Sequence, residues 1–135
     1  MNSRRQQKGF ILPGVESLIM VAGLTVSIAL LSLNSARAKS RDAKRMADTR
    51  QIAAALELYY NDSQTYPKSL KELSPNYIGI VPTAPKPQDG SCSAEQNEYK
   101  YEKISKDKYE FTFCLGANTS GYQAGLRTLS RSGIE

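Results

Sequence analysis

The chain contains two cysteines, Cys92 and Cys114, and no histidine. Without histidine, a zinc site of the Cys/His type and a nucleophile paired with an imidazole base are both excluded. Two lone cysteines are most simply a disulfide, which would indicate an oxidising compartment. For a loop of this length the chain-entropy model predicts a stabilisation of about 3 kcal/mol. The alternative is a pair of free, buried thiols in a cytosolic domain.

A single carboxylate, Glu16, interrupts an otherwise uncharged apolar run from Phe10 to Leu33. At a rise of about 1.5 Å per residue this run can cross a bilayer once, so it predicts a transmembrane segment over residues 10–33. A carboxylate costs about 3 kcal/mol in hydrocarbon, and for that reason it usually has a partner. Two interpretations of Glu16 stay open: a paired charge used in assembly, or a side chain that reaches back to the nearby interface.

The other residue types give no pattern for catalysis or for a cofactor. The sequence has no Gly-rich phosphate loop and no recognisable pair of catalytic acids. The proline-rich loop Val81–Gly90 carries one acid, Asp89, whereas calcium takes about six to eight oxygen ligands. The sequence therefore predicts a protein that is not an enzyme, with no metal site and no cofactor.

The net charge of +5 is confined to the first part of the chain. Residues 1–50 contain nine Lys and Arg against three acids, a net of +6, and the remaining residues contain nine against ten, a net of −1. Because phosphate binding relies on clustered Lys and Arg, this division argues against nucleic-acid binding by the second part. The basic stretch Arg37–Arg45 either meets anionic lipid headgroups or is a solvated helix face.

The first nine residues, with Arg4, Arg5 and Lys8, resemble the basic start of a secretory signal. Ser35–Ala38 looks like a small-residue cleavage site, but the apolar run before it is too long for an ordinary signal peptide. A helical pattern also continues through this point. Removal of the whole segment is therefore the less favoured interpretation.

An amphipathic helix is predicted beyond the apolar run. Apolar side chains recur at three- and four-residue intervals from Met46 to Tyr60, and Gly and Pro are absent from Leu24 to Tyr66. Nothing breaks the pattern where the apolar run ends. One helix is therefore expected from Glu16 to Tyr60, ended by the polar turn Asn61–Ser63.

Residues 61–135 are predicted to form a small head after a helical region over residues 10–60. The spacing of Ser69 and Glu72 is that of a capping box and predicts a short helix that ends at Leu73. Alternating residues then predict an antiparallel sheet. Its strands are Glu98–Ile104, Lys108–Leu115 and, more weakly, Leu126–Leu129. The aromatic residues on one face of the hairpin are expected to cover the helix: Tyr99, Tyr101, Tyr109, Phe111 and Phe113.

The order of these elements resembles the type IV pilins and the related pseudopilins, and the likeness covers essentially the whole chain. The leader ends in Lys8-Gly9, and the apolar run has a glutamate near its start. Three local segments also resemble the family's rod, loop and sheet: RDAKRMADTRQIAAALELYYND, YP…SLKEL…YI…VPTAPKP, and YEFTFCL with AGLRTLS. The resemblance implies an α+β fold in which a long N-terminal helix packs on a small antiparallel sheet with one disulfide.

In that family, prepilin peptidase cuts after the leader glycine, and the new N-terminal residue is methylated. The resemblance therefore implies a leader over residues 1–9, cleavage between Gly9 and Phe10, and methylation of Phe10. The family's glutamate is normally the fifth mature residue, but this sequence has Gly14 there and Glu16 is seventh. A cut after Gly14 would make Glu16 second, which fits the family pattern less well.

The resemblance also implies a function. The chain would be a structural subunit that packs its apolar helix inside a filament, with other pilins, prepilin peptidase and a membrane assembly platform as partners. Glu16 would pair with the α-amino group of a neighbouring subunit. The alternative is a minor or tip pilin that binds a ligand such as DNA or a surface, a role that the displaced Glu16 favours.

The expected location is a single-pass membrane protein with its head outside, and afterwards a cell-surface filament. Three Lys and Arg precede the span and five follow it, so the positive-inside rule alone would place the head in the cytoplasm. The cysteine pair and the resemblance both favour an outside head, and we follow them.

Overall fold

The computed structural model describes the backbone of residues 13–135 and, within the N-terminal helix, the side chains from residue 19 onward. The chain divides into two compact units with the boundary between Ser35 and Ala36. The four strands that the structure describes and the disulfide belong to the second unit. From here on we call this unit, residues 36–135, the head; it contains the predicted head over residues 61–135 and the helical part before it.

One helix, α1, runs from Pro13 to Ser63. The unbroken helix predicted through the apolar run and the amphipathic part is confirmed. The helix ends at Ser63 rather than Tyr60 because the left-handed backbone comes only at Gln64, with φ of 54°. The Gln64 N–H still donates to the Tyr60 carbonyl at 2.8 Å.

Four antiparallel strands form one sheet in the order β1-β2-β3-β4. They are β1 Lys100–Lys103, β2 Tyr109–Leu115, β3 Gly125–Ser130 and β4 Gly133–Ile134. The first three confirm the predicted strands, with ends that differ by a few residues. The prediction lacks β4 because a two-residue strand is too short to show alternation. In the structure, β4 is joined to β3 by the pairing of Ile134 with Leu129.

The core of the head lies between α1 and one face of the sheet. The register places Phe111 between Tyr101 on β1 and Leu129 on β3. Tyr109, Phe111 and Phe113 alternate along β2 and are almost fully buried. The prediction that the hairpin's aromatic residues cover the helix is therefore confirmed. The residues that α1 contributes to the same core are Met46, Ile52, Ala55 and Leu56.

A 3₁₀ turn, Leu70–Leu73, lies where the short helix is predicted. The Glu72 carboxylate accepts hydrogen bonds from the N–H groups of Lys68 and Ser69 at 3.1 and 3.2 Å. These bonds satisfy backbone donors at the start of the turn, as the glutamate of a capping box does. Leu73 is buried in the core, so the turn joins the segment after α1 to the rest of the head.

Candidate functional site

The structure brings together two of the predicted site residues. Cys92 and Cys114 form a disulfide, and both are buried in the head. The predicted disulfide is confirmed, and the alternative of two free thiols is wrong. Gly9 and Phe10 lie outside the described residues, as does the side chain of Glu16. Their cleavage, methylation and assembly roles therefore stay predictions.

The loop that carries Cys92 lies directly against the chain after β2. Gly90 has a positive φ of 49°, and a Cβ at this position would lie 2.0 Å from the carbonyl oxygen of Gly116. A Cβ on Gly116 would lie 2.5 Å from the Cβ of Asp89. The Ser91 N–H donates to the Gly116 carbonyl at 3.1 Å. Glycine is therefore needed on both sides of this contact, because any side chain would separate the two backbones.

Loss of the disulfide is expected to loosen this loop. The bond joins residues 22 apart in sequence, so Cys92→Ser should lower the free energy of unfolding by about 3 kcal/mol in the chain-entropy model. Limited proteolysis of the variant should cut within residues 81–97 faster than proteolysis of the oxidised wild type. Reduced wild type and Cys114→Ser are the matched controls and should be cut as fast as Cys92→Ser. Equal resistance of all four samples would contradict this role.

The first unit presents an uncovered apolar helix surface. Its large apolar side chains are between 52% and 78% exposed: Ile19, Met20, Val21, Leu24, Val26, Ile28, Leu30, Leu31 and Leu33. The hydroxyls of Thr25 and Ser27 donate to carbonyl oxygens of their own helix, those of Ala22 and Gly23, at 2.9 and 3.0 Å. These polar groups therefore need no water. By length and composition, the helix from Ile19 to Ser63 contains a stretch apolar enough to cross a membrane.

A buried arginine is the feature of the head that the sequence did not indicate. The Arg45 side chain on α1 is 0% exposed. Its Nη1 donates to Asp42 Oδ1 at 2.7 Å and to Asp89 Oδ2 at 3.1 Å. A buried charge without partners would be very costly; these contacts pair the terminal nitrogens, whereas the buried Nε has no hydrogen-bond partner. The acceptors of Nη2 are Asn97 Oδ1 at 2.7 Å, the Pro85 carbonyl at 3.2 Å and the Pro87 carbonyl at 3.4 Å.

Asp42 connects this guanidinium to the end of β2. Its side chain is 1% exposed. Besides the bond from Arg45, Oδ1 accepts a hydrogen bond from the Gly116 N–H and Oδ2 one from the Ala117 N–H, both at 2.9 Å. One helix side chain therefore holds the arginine and the backbone that follows β2 in a single hydrogen-bonded group.

Asp89, the one acid of the proline-rich loop, is held by two arginines. Arg41 Nε donates to Oδ2 at 2.7 Å, Arg41 Nη2 donates to Oδ1, and Arg45 adds a third bond. The hydrogen bonds from Arg41 lower the pKa of Asp89 below its usual value, although burial opposes them. The same contact raises the pKa of Arg41. Both carboxylate oxygens of Asp89 are therefore already engaged.

The interpretation of Arg37–Arg45 as a solvated or lipid-facing stretch is wrong for two of its residues. Arg45 is fully buried, and the Arg41 side chain is only 22% exposed. Both turn toward Asp89, which lies more than 40 residues further along the chain. Arg37 and Lys39 are exposed, as predicted. Arg41, Asp42, Arg45 and Asp89 thus form one charged cluster. The only sign of this cluster in the local sequence was the three-residue spacing of Asp42 and Arg45, which suits an ion pair on a helix.

A second buried carboxylate extends this group along α1. Asp48 accepts a hydrogen bond from Lys44 Nζ at 2.9 Å and one from the Tyr99 hydroxyl at 2.9 Å. Burial and the bond to Asp48 both raise the pKa of Tyr99. The residue that precedes β1 is therefore fixed to the helix as a neutral hydroxyl donor.

These contacts pair the terminal nitrogens of Arg45 with acceptors and position the loops of the head against α1. Within residues 19–135, no three His, Cys, Asp or Glu side chains come together as metal ligands would. No family model, curated protein or solved structure matches this chain. Its function is therefore inferred from its own sequence and geometry.

Proposed function

We propose that the protein is a structural subunit of a type IV pilus-like filament. The observation that carries this proposal is the uncovered apolar surface of α1 from Ile19 to Leu33, which precedes a disulfide-closed head in the sequence. Such a surface needs an apolar environment, and lipid before assembly and neighbouring helices afterwards would both provide it. The proposal assigns the chain no catalytic role.

Removal of the leader would prepare the chain for assembly. Cleavage between Gly9 and Phe10 by prepilin peptidase would create a new α-amino group at Phe10, which would then be methylated. A platform protein in the membrane would bring such subunits together. The disulfide supports a head on the oxidising side of the membrane, where it would lie on the outside of the filament.

A minor or tip subunit that binds a ligand such as DNA or a surface is the second candidate. The displacement of Glu16 from the family's fifth mature position supports it, because a terminal subunit can enter a filament without the full set of helix contacts. The net charge of −1 over residues 51–135 is unfavourable for tight binding to phosphates.

The variant Glu16→Ala tests how the subunit enters the filament. If Glu16 pairs with the α-amino group of a neighbour, the variant leaves that ammonium unpaired in an apolar bundle, at a cost of roughly 3–5 kcal/mol. It also removes a charge from the membrane segment. We therefore expect stronger retention in the membrane fraction and much less protein in sheared filaments, measured by quantitative immunoblotting of both fractions.

Ser27→Ala is the matched control. Its hydroxyl donates to the carbonyl of Gly23 within the same helix, so its hydrogen bond is already made within its own chain. This variant should distribute between membrane and filament as the wild type does. Equal recovery of Glu16→Ala and wild type in sheared filaments would reject the pairing and favour a subunit that is added without it, as at a tip.

A further inference from the structure

Five oxygen atoms converge on the guanidinium of Arg45. Two belong to carboxylates, Asp42 and Asp89, two are backbone carbonyl oxygens, and one is the side-chain carbonyl of Asn97. All five lie between 2.7 and 3.4 Å from a terminal nitrogen of the arginine. We call these five atoms the oxygen cage. Its members come from α1, from the proline-rich loop and from the segment before β1.

The composition of the cage is that of a site for a hard divalent cation. Calcium binds carboxylate, amide and backbone carbonyl oxygens, takes about six to eight of them with water included, and holds them at about 2.3–2.6 Å. The cage has five such oxygens, two around Nη1 and three around Nη2, and in the absence of the side chain they would have to close around a single ion. The cage contains only oxygen acceptors, so sulfur- and nitrogen-seeking metals are not favoured.

We infer that the guanidinium of Arg45 occupies a latent calcium-type cation site and serves as its built-in cation. In the wild type the arginine holds the proline-rich loop on α1, and the head needs no dissolved metal ion for this. Removal of the side chain should open the cage to calcium and water. This inference rests on contacts within the head alone and is independent of filament assembly.

The charges near the cage predict an order of affinities. Without Arg45, the two carboxylates carry −2 and Arg41, which bonds Asp89, carries +1. Calcium affinity rises with the number of uncompensated ligand charges. The double variant Arg41→Ala/Arg45→Ala should therefore bind calcium more tightly than Arg45→Ala. Arg45→Met is the control that removes the charge and fills the space with an apolar side chain.

The test uses the full-length protein in detergent micelles, with the melting of the head followed by the near-ultraviolet circular dichroism of its tyrosines. Calcium chloride at about 5 mM should raise the Tm of Arg45→Ala by roughly 5–10 °C. The rise should be larger for the double variant and absent for the wild type and for Arg45→Met. Sodium chloride at equal ionic strength should leave all four unchanged.

If Arg45→Ala is unfolded without calcium, recovery of its folded spectrum on adding calcium is the expected result. The inference is overturned if calcium neither stabilises nor refolds Arg45→Ala and the double variant. A shift of the same size in Arg45→Met or in the wild type would overturn it as well, because the cation would then bind elsewhere.

Discussion

Asp42→Ala is expected to lower the free energy of unfolding of the head by roughly 3–5 kcal/mol, the cost of removing one partner from a buried ion pair. The Arg45 charge would keep Asp89 as its only carboxylate partner. The N–H groups of Gly116 and Ala117 would also lose their acceptor. Because a small domain has a total stability of only about 5–15 kcal/mol, this loss should be visible as partial unfolding on moderate heating.

Asp62→Ala is the matched control. Asp62 lies near the end of the same helix and is exposed, and its carboxylate accepts one hydrogen bond, from the Tyr77 hydroxyl. Surface contacts of this kind contribute little. Urea unfolding of both variants, followed by tyrosine circular dichroism, should show a large shift in midpoint for Asp42→Ala alone. Similar midpoints for the two variants would mean that the buried cluster does not stabilise the head.

Gly9→Leu is expected to abolish processing, so that only the longer precursor accumulates in the membrane fraction. If the leader ends at Gly9, this residue must let the peptidase approach the backbone closely, and a leucine side chain would block that approach. Immunoblotting against a C-terminal tag, with intact-mass measurement of the purified protein, distinguishes precursor from mature chain.

Gly14→Leu separates the two possible cleavage sites. A Cβ at Gly14 meets no other group within 4 Å in α1, so the helix itself tolerates a side chain there. Normal cleavage of Gly14→Leu together with a block in Gly9→Leu is the expected pair of results. The reverse pair would show that the chain is cut after Gly14 and that Glu16 is the second mature residue.

The main elements of the fold could be predicted because they leave local signals. The period of three to four residues in α1 and the alternation along β2 are each contained in a short window of sequence. The absence of Gly and Pro between Leu24 and Tyr66 allowed one helix to be predicted across a change in composition. The disulfide was predictable because two cysteines can pair in only one way.

The charged cluster could not be predicted in the same way. Asp42 and Arg45 are neighbours on a helix, but their other partners depend on which loop folds onto α1. Asp89 is 44 residues from Arg45, and Gly116 is 74 residues from Asp42. A basic helix face that binds lipid has the same local sequence as one that binds an acid of a distant loop. Only the tertiary contact distinguishes them.

The most direct test of filament assembly is mass spectrometry of filaments sheared from cells that produce the protein. If the chain is a filament subunit, it should be present in the sheared fraction, with an N-methylated N-terminal peptide that begins at Phe10 and with Cys92 and Cys114 oxidised. A chain that is found only in the membrane fraction and retains its first nine residues would contradict the account.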